Sequence, residues 1–177
     1  MHDGLLNWYL TKHPDYDGNN VASECSLIEL EFLTQEILRP LENQFSKPVI
    51  TYGFTSHALL LWILKNSPGD MAPAIDQHAA MELNSKANRI CKRDGAACDF
   101  YLKSHKGKMD KVAQFIIEHL PFDRLYFYGN DKPIHVSVGR DNSRYVQIRK
   151  TNAAGSRVPG RYRRGTHALE LFDVTVS

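Results

Sequence analysis

The spacing of apolar positions divides the chain into segments of different period. Ile28, Leu33, Ile37, Leu41 and Phe45 recur at helical spacing behind Ser26-Leu27-Ile28-Glu29, which reads as a capping box, so a helix to about Phe45 is predicted, disturbed at Pro40. Lys47-Pro48 leads into the β-rich run Val49-Ile50-Thr51-Tyr52, which Gly53 stops. Ser56 to about Asn66, with Leu59, Leu60, Trp62 and Ile63, reads as a buried helix closed by Ser67-Pro68-Gly69. The stretch from Met71 begins in a loop containing Pro73 and enters a short helix for which Asp76 is a suitable N-cap.

Further on, Gly95 to Leu102 reads as a strand and Met109 to Leu120 as an amphipathic helix through Val112, Phe115, Ile116 and His119. Strands are predicted at Arg124 to Tyr128, Ile134 to Val138 and Tyr145 to Ile148, with links too short for crossover helices. The fold class expected is therefore α+β, with helices packed on a mainly antiparallel sheet. Residues 1–25 lack a sustained period and are expected to form an irregular arm. Residues 26–149 would form the core, and residues 150–177 a basic Gly/Pro loop with a last strand from Leu169 to Val176, within the same domain.

Composition changes this picture little, but charge changes it more. A chain of 177 residues with 42% hydrophobic positions suits one globular core that needs no metal or disulfide to fold, so a metal is expected to serve function. The overall charge is only +2. Residues 140–165, however, hold Arg140, Arg144, Arg149, Lys150, Arg157, Arg161, Arg163 and Arg164 against Asp141, a local charge of +7 in a remainder of −5. Arg149, Arg157, Arg161, Arg163 and Arg164 are thus candidates for binding an anion, such as nucleic acid or another phosphate-bearing ligand, with Tyr145 and Tyr162 available for stacking. Three cysteines, Cys25, Cys91 and Cys98, form no CxxC pair and no disulfide framework. With no signal-like N-terminus and no apolar run longer than Ala58 to Leu64, a cytoplasmic protein without membrane spans is expected.

Three polar residues stand out by context: His78 in Asp76-Gln77-His78, Asp99 in Gly95-Ala96-Ala97-Cys98-Asp99, and His135 in Ile134-His135-Val136-Ser137. Asp99 and His135 interrupt apolar, strand-like runs. A carboxylate in such a run needs a partner, and two imidazoles with one carboxylate are a common catalytic zinc set. Cys91 and Cys98 are alternative thiolate ligands, although Cys98 should point away from the face of Asp99.

The order of segments resembles the zinc-peptidase superfamily of D-alanyl-D-alanine carboxypeptidases, phage endolysin peptidases and the hedgehog signalling domain. The residues that carry the resemblance are Ile37-Leu38-Arg39-Pro40-Leu41, Lys47-Pro48-Val49-Ile50, Thr51-Tyr52-Gly53-Phe54-Thr55-Ser56, then Asp76-Gln77-His78, Gly95-Ala96-Ala97-Cys98-Asp99 and Ile134-His135-Val136-Ser137. The similarity spans roughly residues 27–140. It implies a hedgehog/DD-peptidase-like fold, a Zn2+ cofactor on His78, Asp99 and His135, and a peptide or amide substrate. Twenty residues separate His78 from Asp99, where the family has a short phrase, and that phrase's spacing falls on Lys92. The family's substrate-holding arginine falls on Thr55 and its general-base carboxylate near Tyr128. Asp131 and Glu82 are candidate replacement bases. A non-catalytic relative that binds an anionic ligand or partner protein through the same cleft and the Arg-rich segment is the alternative reading.

Overall fold

The structure, a computed structural model, describes residues 1–68, 76–153, 155 and 157–173. Its framework is one six-stranded sheet in the order β1-β2-β4-β3-β5-β6. The strands are β1 (Val49–Tyr52), β2 (Ala96–Tyr101), β3 (Arg124–Phe127), β4 (Ile134–Val138), β5 (Tyr145–Thr151) and β6 (Arg157–Arg164). Every neighbouring pair is antiparallel except β3 and β5. Among the described residues five α-helices accompany it: α1 (Gly4–Lys12), α2 (Glu24–Leu33), α3 (Arg39–Gln44), α4 (His57–Asn66) and α5 (Met109–His119). The α+β class and the mainly antiparallel sheet agree with expectation.

One face of the sheet builds the main core. Cys98 and Phe100 of β2, Leu125 of β3, and Ile134 and Val136 of β4 pack against Leu30, Leu33, Ile37 and Leu41 of the α2–α3 segment and Val112, Ile116 and Ile117 of α5. The opposite face carries Asp99 and His135. It is covered toward β1 by a second, aromatic cluster in which Trp8 and Tyr9 of α1 and Leu59, Leu60 and Ile63 of α4 surround Tyr52. Gly95 opens β2 with φ +108°, where a side chain would collide with the Val138 carbonyl on the neighbouring strand.

Several local expectations are corrected. The N-terminal arm is not wholly irregular, because α1 buries Leu5, Trp8 and Tyr9 along one stripe, and the Trp8 indole N–H donates to the Phe54 carbonyl at 2.7 Å. The N-cap of α2 is Ser23 instead of Ser26: the Ser23 hydroxyl accepts from the Ser26 N–H at 3.3 Å. The reciprocal carboxylate comes from far away, with Glu82 Oε1 accepting from the Ser23 N–H at 2.9 Å and from the Ser23 and Ser26 hydroxyls at 2.7 and 2.6 Å.

The disturbance at Pro40 is a π-helical turn, Thr34–Leu38, directly before α3; proline has no N–H to continue the regular ladder. The basic segment, expected as a loop, is mostly strand β6. Pro159 is tolerated because β6 is the sheet edge and the register shifts between Gln147 and Arg149. In place of the predicted last strand, Gly165–Leu171 forms a 3-10 helix that buries Ala168 and Leu171. The end of that predicted strand beyond Asp173, and the loop around Met71 and Pro73, lie outside the described residues.

Candidate metal centre

His78 is placed by a 3-10 turn, Gln77–Ala79, that Asp76 caps: the Asp76 carboxylate accepts from the His78 backbone N–H at 3.0 Å. Gln77, fully buried, anchors the turn, its amide nitrogen facing the Asp94 carbonyl at 2.7 Å and Asp123 Oδ2 and the Val138 carbonyl at 3.1 Å. From the other side the His78 carbonyl accepts from the Thr55 N–H at 3.0 Å. The His78 ring is held by the Gly53 carbonyl, 3.1 Å from Nδ1. Gly53 must be small, since a Cβ there would run into the Leu5 carbonyl and the Trp8 ring.

Asp99 and His135 come from the sheet itself. They are direct cross-strand partners on β2 and β4, and the same lateral row continues through Tyr52 on β1, Tyr126 on β3, Gln147 on β5 and Tyr162 on β6. Asp99 Oδ1 stands 2.8 Å from His135 Nδ1 and 3.3 Å from His78 Nε2. Both imidazoles are buried, each with 3% of its side chain exposed, while Asp99 keeps 20%. Asp76 joins them: one ligand atom each from Asp76, His78 and His135 lie within 4.8 Å of one another, a group that could hold a metal ion. His78, Asp99 and His135 are therefore brought together, but the group whose ligand atoms are close enough to hold an ion is Asp76, His78 and His135, with Asp99 as the partner of both imidazoles.

The arrangement is built around a cation. The Gly53 carbonyl only accepts, so the hydrogen bond to His78 fixes the proton on Nδ1 and leaves the Nε2 lone pair facing a carboxylate oxygen at 3.3 Å. Two acceptors that close repel unless a positive charge lies between them. A proton serves: burial by itself disfavours charged His78, yet Asp76 and Asp99 and the Gly53 carbonyl raise its pKa to about 9. Burial likewise opposes the Asp99 carboxylate, but the imidazoles of His135 and His78 hold its pKa well below the usual range. A metal ion is the other cation the group could hold, through Asp76, His78 and His135. His135 Nε2 is buried with no hydrogen-bond partner among the described residues.

The remaining sequence candidates fall elsewhere. Glu82 is spent on the N-terminus of α2, which removes it from the role of base at this centre. Asp131 is exposed and lines a separate cavity of about 520 Å³ with Lys103, Lys106 and Lys132. Cys98 faces the main core and Cys91 is buried; neither belongs to the metal-ligating group. Thr55 is buried with its hydroxyl directed at the Gly53 carbonyl, 3.3 Å away. Burial and the nearby Asp99 charge push the Tyr128 phenol pKa up, so it keeps its proton and is a donor, not a base. Sequence reasoning missed Asp76 as more than a cap, and Gln77 altogether; the only local signal was a buried-type segment with two polar residues beside His78.

Among the arginines, the hairpin register separates two sets. Arg149 and Arg157 stand opposite Pro159 and Thr151 and stack on tyrosines near the centre, with Arg149 4.5 Å from the Tyr126 ring and Arg157 4.5 Å from the Tyr128 ring. Arg164 lies over Tyr145 at 5.5 Å. Arg163 stands opposite Val146 and binds Glu170 at 3.2 Å, and Arg161 falls within the register shift.

Comparison with family models, curated proteins and solved structures gave no match. Among the described residues no helix is long and apolar enough to cross a membrane.

Proposed function

We propose that this chain is a divergent zinc-dependent hydrolase of peptide or amide bonds, related to the hedgehog and D-alanyl-D-alanine carboxypeptidase superfamily, with His78, Asp99 and His135 as the zinc ligands. The observation that carries the reading is the convergence of His78 Nε2 and His135 Nδ1 on Asp99 Oδ1, at 3.3 and 2.8 Å, with a second carboxylate alongside. Three protein ligands leave a coordination position for water or substrate, the arrangement of catalytic zinc sites. The ion supplies Lewis acidity toward a substrate carbonyl and toward water.

The chain's own groups divide the remaining work. Asp76 is the general base. One of its oxygens is oriented by the His78 backbone N–H at 3.0 Å, and it stands beside both imidazoles, where it takes a proton from the attacking water and returns it to the leaving nitrogen. The Gly53 carbonyl keeps the His78 proton on Nδ1. Tyr128, held protonated, donates a hydrogen bond to the negative oxygen that develops on the substrate.

The test is zinc content after dialysis against zinc buffer, followed by turnover of a panel of N-acylated dipeptides and simple amides. Wild type should hold one zinc and cleave at least one panel member. D76N should retain the zinc and lose about 100-fold or more in kcat, the usual size of a general-base contribution. A protein without stoichiometric zinc overturns the reading. Stoichiometric zinc without cleavage overturns the hydrolase and favours the alternative of a non-catalytic, ligand-binding relative.

A further inference from the structure

The Arg-rich β5–β6 hairpin does not stand apart from the metal centre; it is joined to it by a stack of side chains. The Tyr126 ring packs on the His135 ring with centroids 4.8 Å apart and planes inclined by 17°. The other partner of Tyr126 is the Arg149 guanidinium at 4.5 Å, so His135, Tyr126 and Arg149 follow one another across β4, β3 and β5. The Arg157 guanidinium lies 4.5 Å from the Tyr128 ring, whose phenol feels the Asp99 charge. Two guanidinium groups are thereby positioned over tyrosines beside the candidate zinc ligands.

Stacking on a ring occupies the flat face of a guanidinium and leaves its N–H edge for hydrogen bonding in the plane, the geometry that recognises carboxylate and phosphate with two parallel bonds. Among the described residues the edges at Arg149 and Arg157 have no carboxylate to bind, whereas Arg163 is neutralised by Glu170 and Arg89 by Asp94. Arg149 Nε is buried with no hydrogen-bond acceptor among the described residues. A buried donor without an acceptor is costly, and an arriving oxyanion would remove that cost. The local charge of +7 over residues 140–165 adds attraction toward the same kind of group.

We infer that Arg149 and Arg157 form a binding site for an oxyanion, a phosphate or a carboxylate, adjoining the metal centre, so that the preferred substrate carries such a group near the bond that is cleaved. This substrate preference rests on the hydrolase reading, whereas the anion site itself does not. Tyr126 and Tyr128 act as positioning residues that hold the two guanidinium groups.

The experiment follows the Arg Nε–H signals by NMR in the full chain after dialysis against EDTA, which removes the affinity of any metal for the anion. Inorganic phosphate and sodium acetate are titrated separately at constant ionic strength. The Arg149 signal should shift saturably with at least one of them, and the tighter of the two identifies which oxyanion the site prefers. R157Q, at an exposed position, and R149K, which keeps the charge but loses the fork, should each weaken binding about tenfold; R163Q should leave it unchanged. No saturable shift with either anion overturns the inference, as does equal affinity in wild type, R157Q and R149K. Loss of the anion site with zinc and turnover intact removes this inference alone, while anion binding in a chain that takes no zinc removes the hydrolase and the substrate preference and leaves the anion site standing.

Discussion

Replacing Asp99 with asparagine keeps the shape of the side chain and removes the charge on which both imidazoles converge. The amide oxygen can still accept from His135, 2.8 Å away, but the negative charge 3.3 Å from His78 Nε2 is gone. Outer-shell substitutions at zinc sites cost about 10–100-fold in affinity, so loss of a ligand charge should exceed 100-fold, roughly 3 kcal/mol or more at 1.4 kcal/mol per tenfold. In EDTA the same substitution acts through the proton. At 3.3 Å and an effective dielectric near 20 the carboxylate–imidazolium attraction is about 5 kcal/mol, part of which is returned when the carboxylate no longer has to be desolvated. Breaking a buried pair costs about 3–5 kcal/mol, and the 20% exposure of Asp99 puts this one near the lower end.

The sign with pH follows from His78. Its folded pKa, about 9, lies above the ordinary value of 6.5, so its contribution to stability is fully present below pH 6.5 and is lost as pH rises through 9. D99N should flatten that slope. The assays are zinc competition against a chromophoric chelator at pH 7 and guanidinium denaturation with EDTA from pH 6 to 10. D99N holding zinc within threefold of wild type, while D76N loses it, would refute the ligand assignment and make Asp76 the carboxylate ligand.

Three further outcomes are expected. E82Q should lower stability by about 1 kcal/mol in chemical denaturation through the weakened α2 cap, with zinc affinity unchanged; a matching loss of zinc would return Glu82 to the centre. G53A should destabilise the chain by about 1–3 kcal/mol and weaken zinc binding together, because the added methyl group must displace α1 or the carbonyl that orients His78; near-neutral values for both would contradict the close packing described. Burial opposes the Asp123 charge, but Ser143, Gln77 and Arg124 outweigh it and lower its pKa, so its contribution is present above pH 4 and lost as pH falls; D123N should flatten the acid limb of stability against pH below about 4, and an unchanged acid limb would count against it.

Much of the framework was legible because it is written in local periodicity. The apolar stripe of α5 and the apolar run of α4 each depend on residues a few positions apart. His78, Asp99 and His135 were legible for a related reason: a titratable group inside an apolar run is an energetic anomaly wherever the run ends up. Helix α1 was missed although Leu5, Trp8 and Tyr9 have helical spacing, since a nine-residue helix with so short a stripe is stable only through what it packs on. Strand β6 was hidden by its arginines, proline and glycine, which suit an exposed edge strand but lack the alternation of a buried one.

What the sequence by itself determined is the run of elements from α2 to β5 and the three residues at odds with their surroundings. The tertiary structure decided their partners. Glu82 closes a helix cap 59 residues away, Gln77 reaches 61 residues to the Val138 carbonyl, and strand register sets Asp99 against His135 and then Tyr126. A side chain's role depends on which charges and donors lie within a few ångströms, and those neighbours are chosen by sheet pairing and packing between distant segments, which no local pattern encodes.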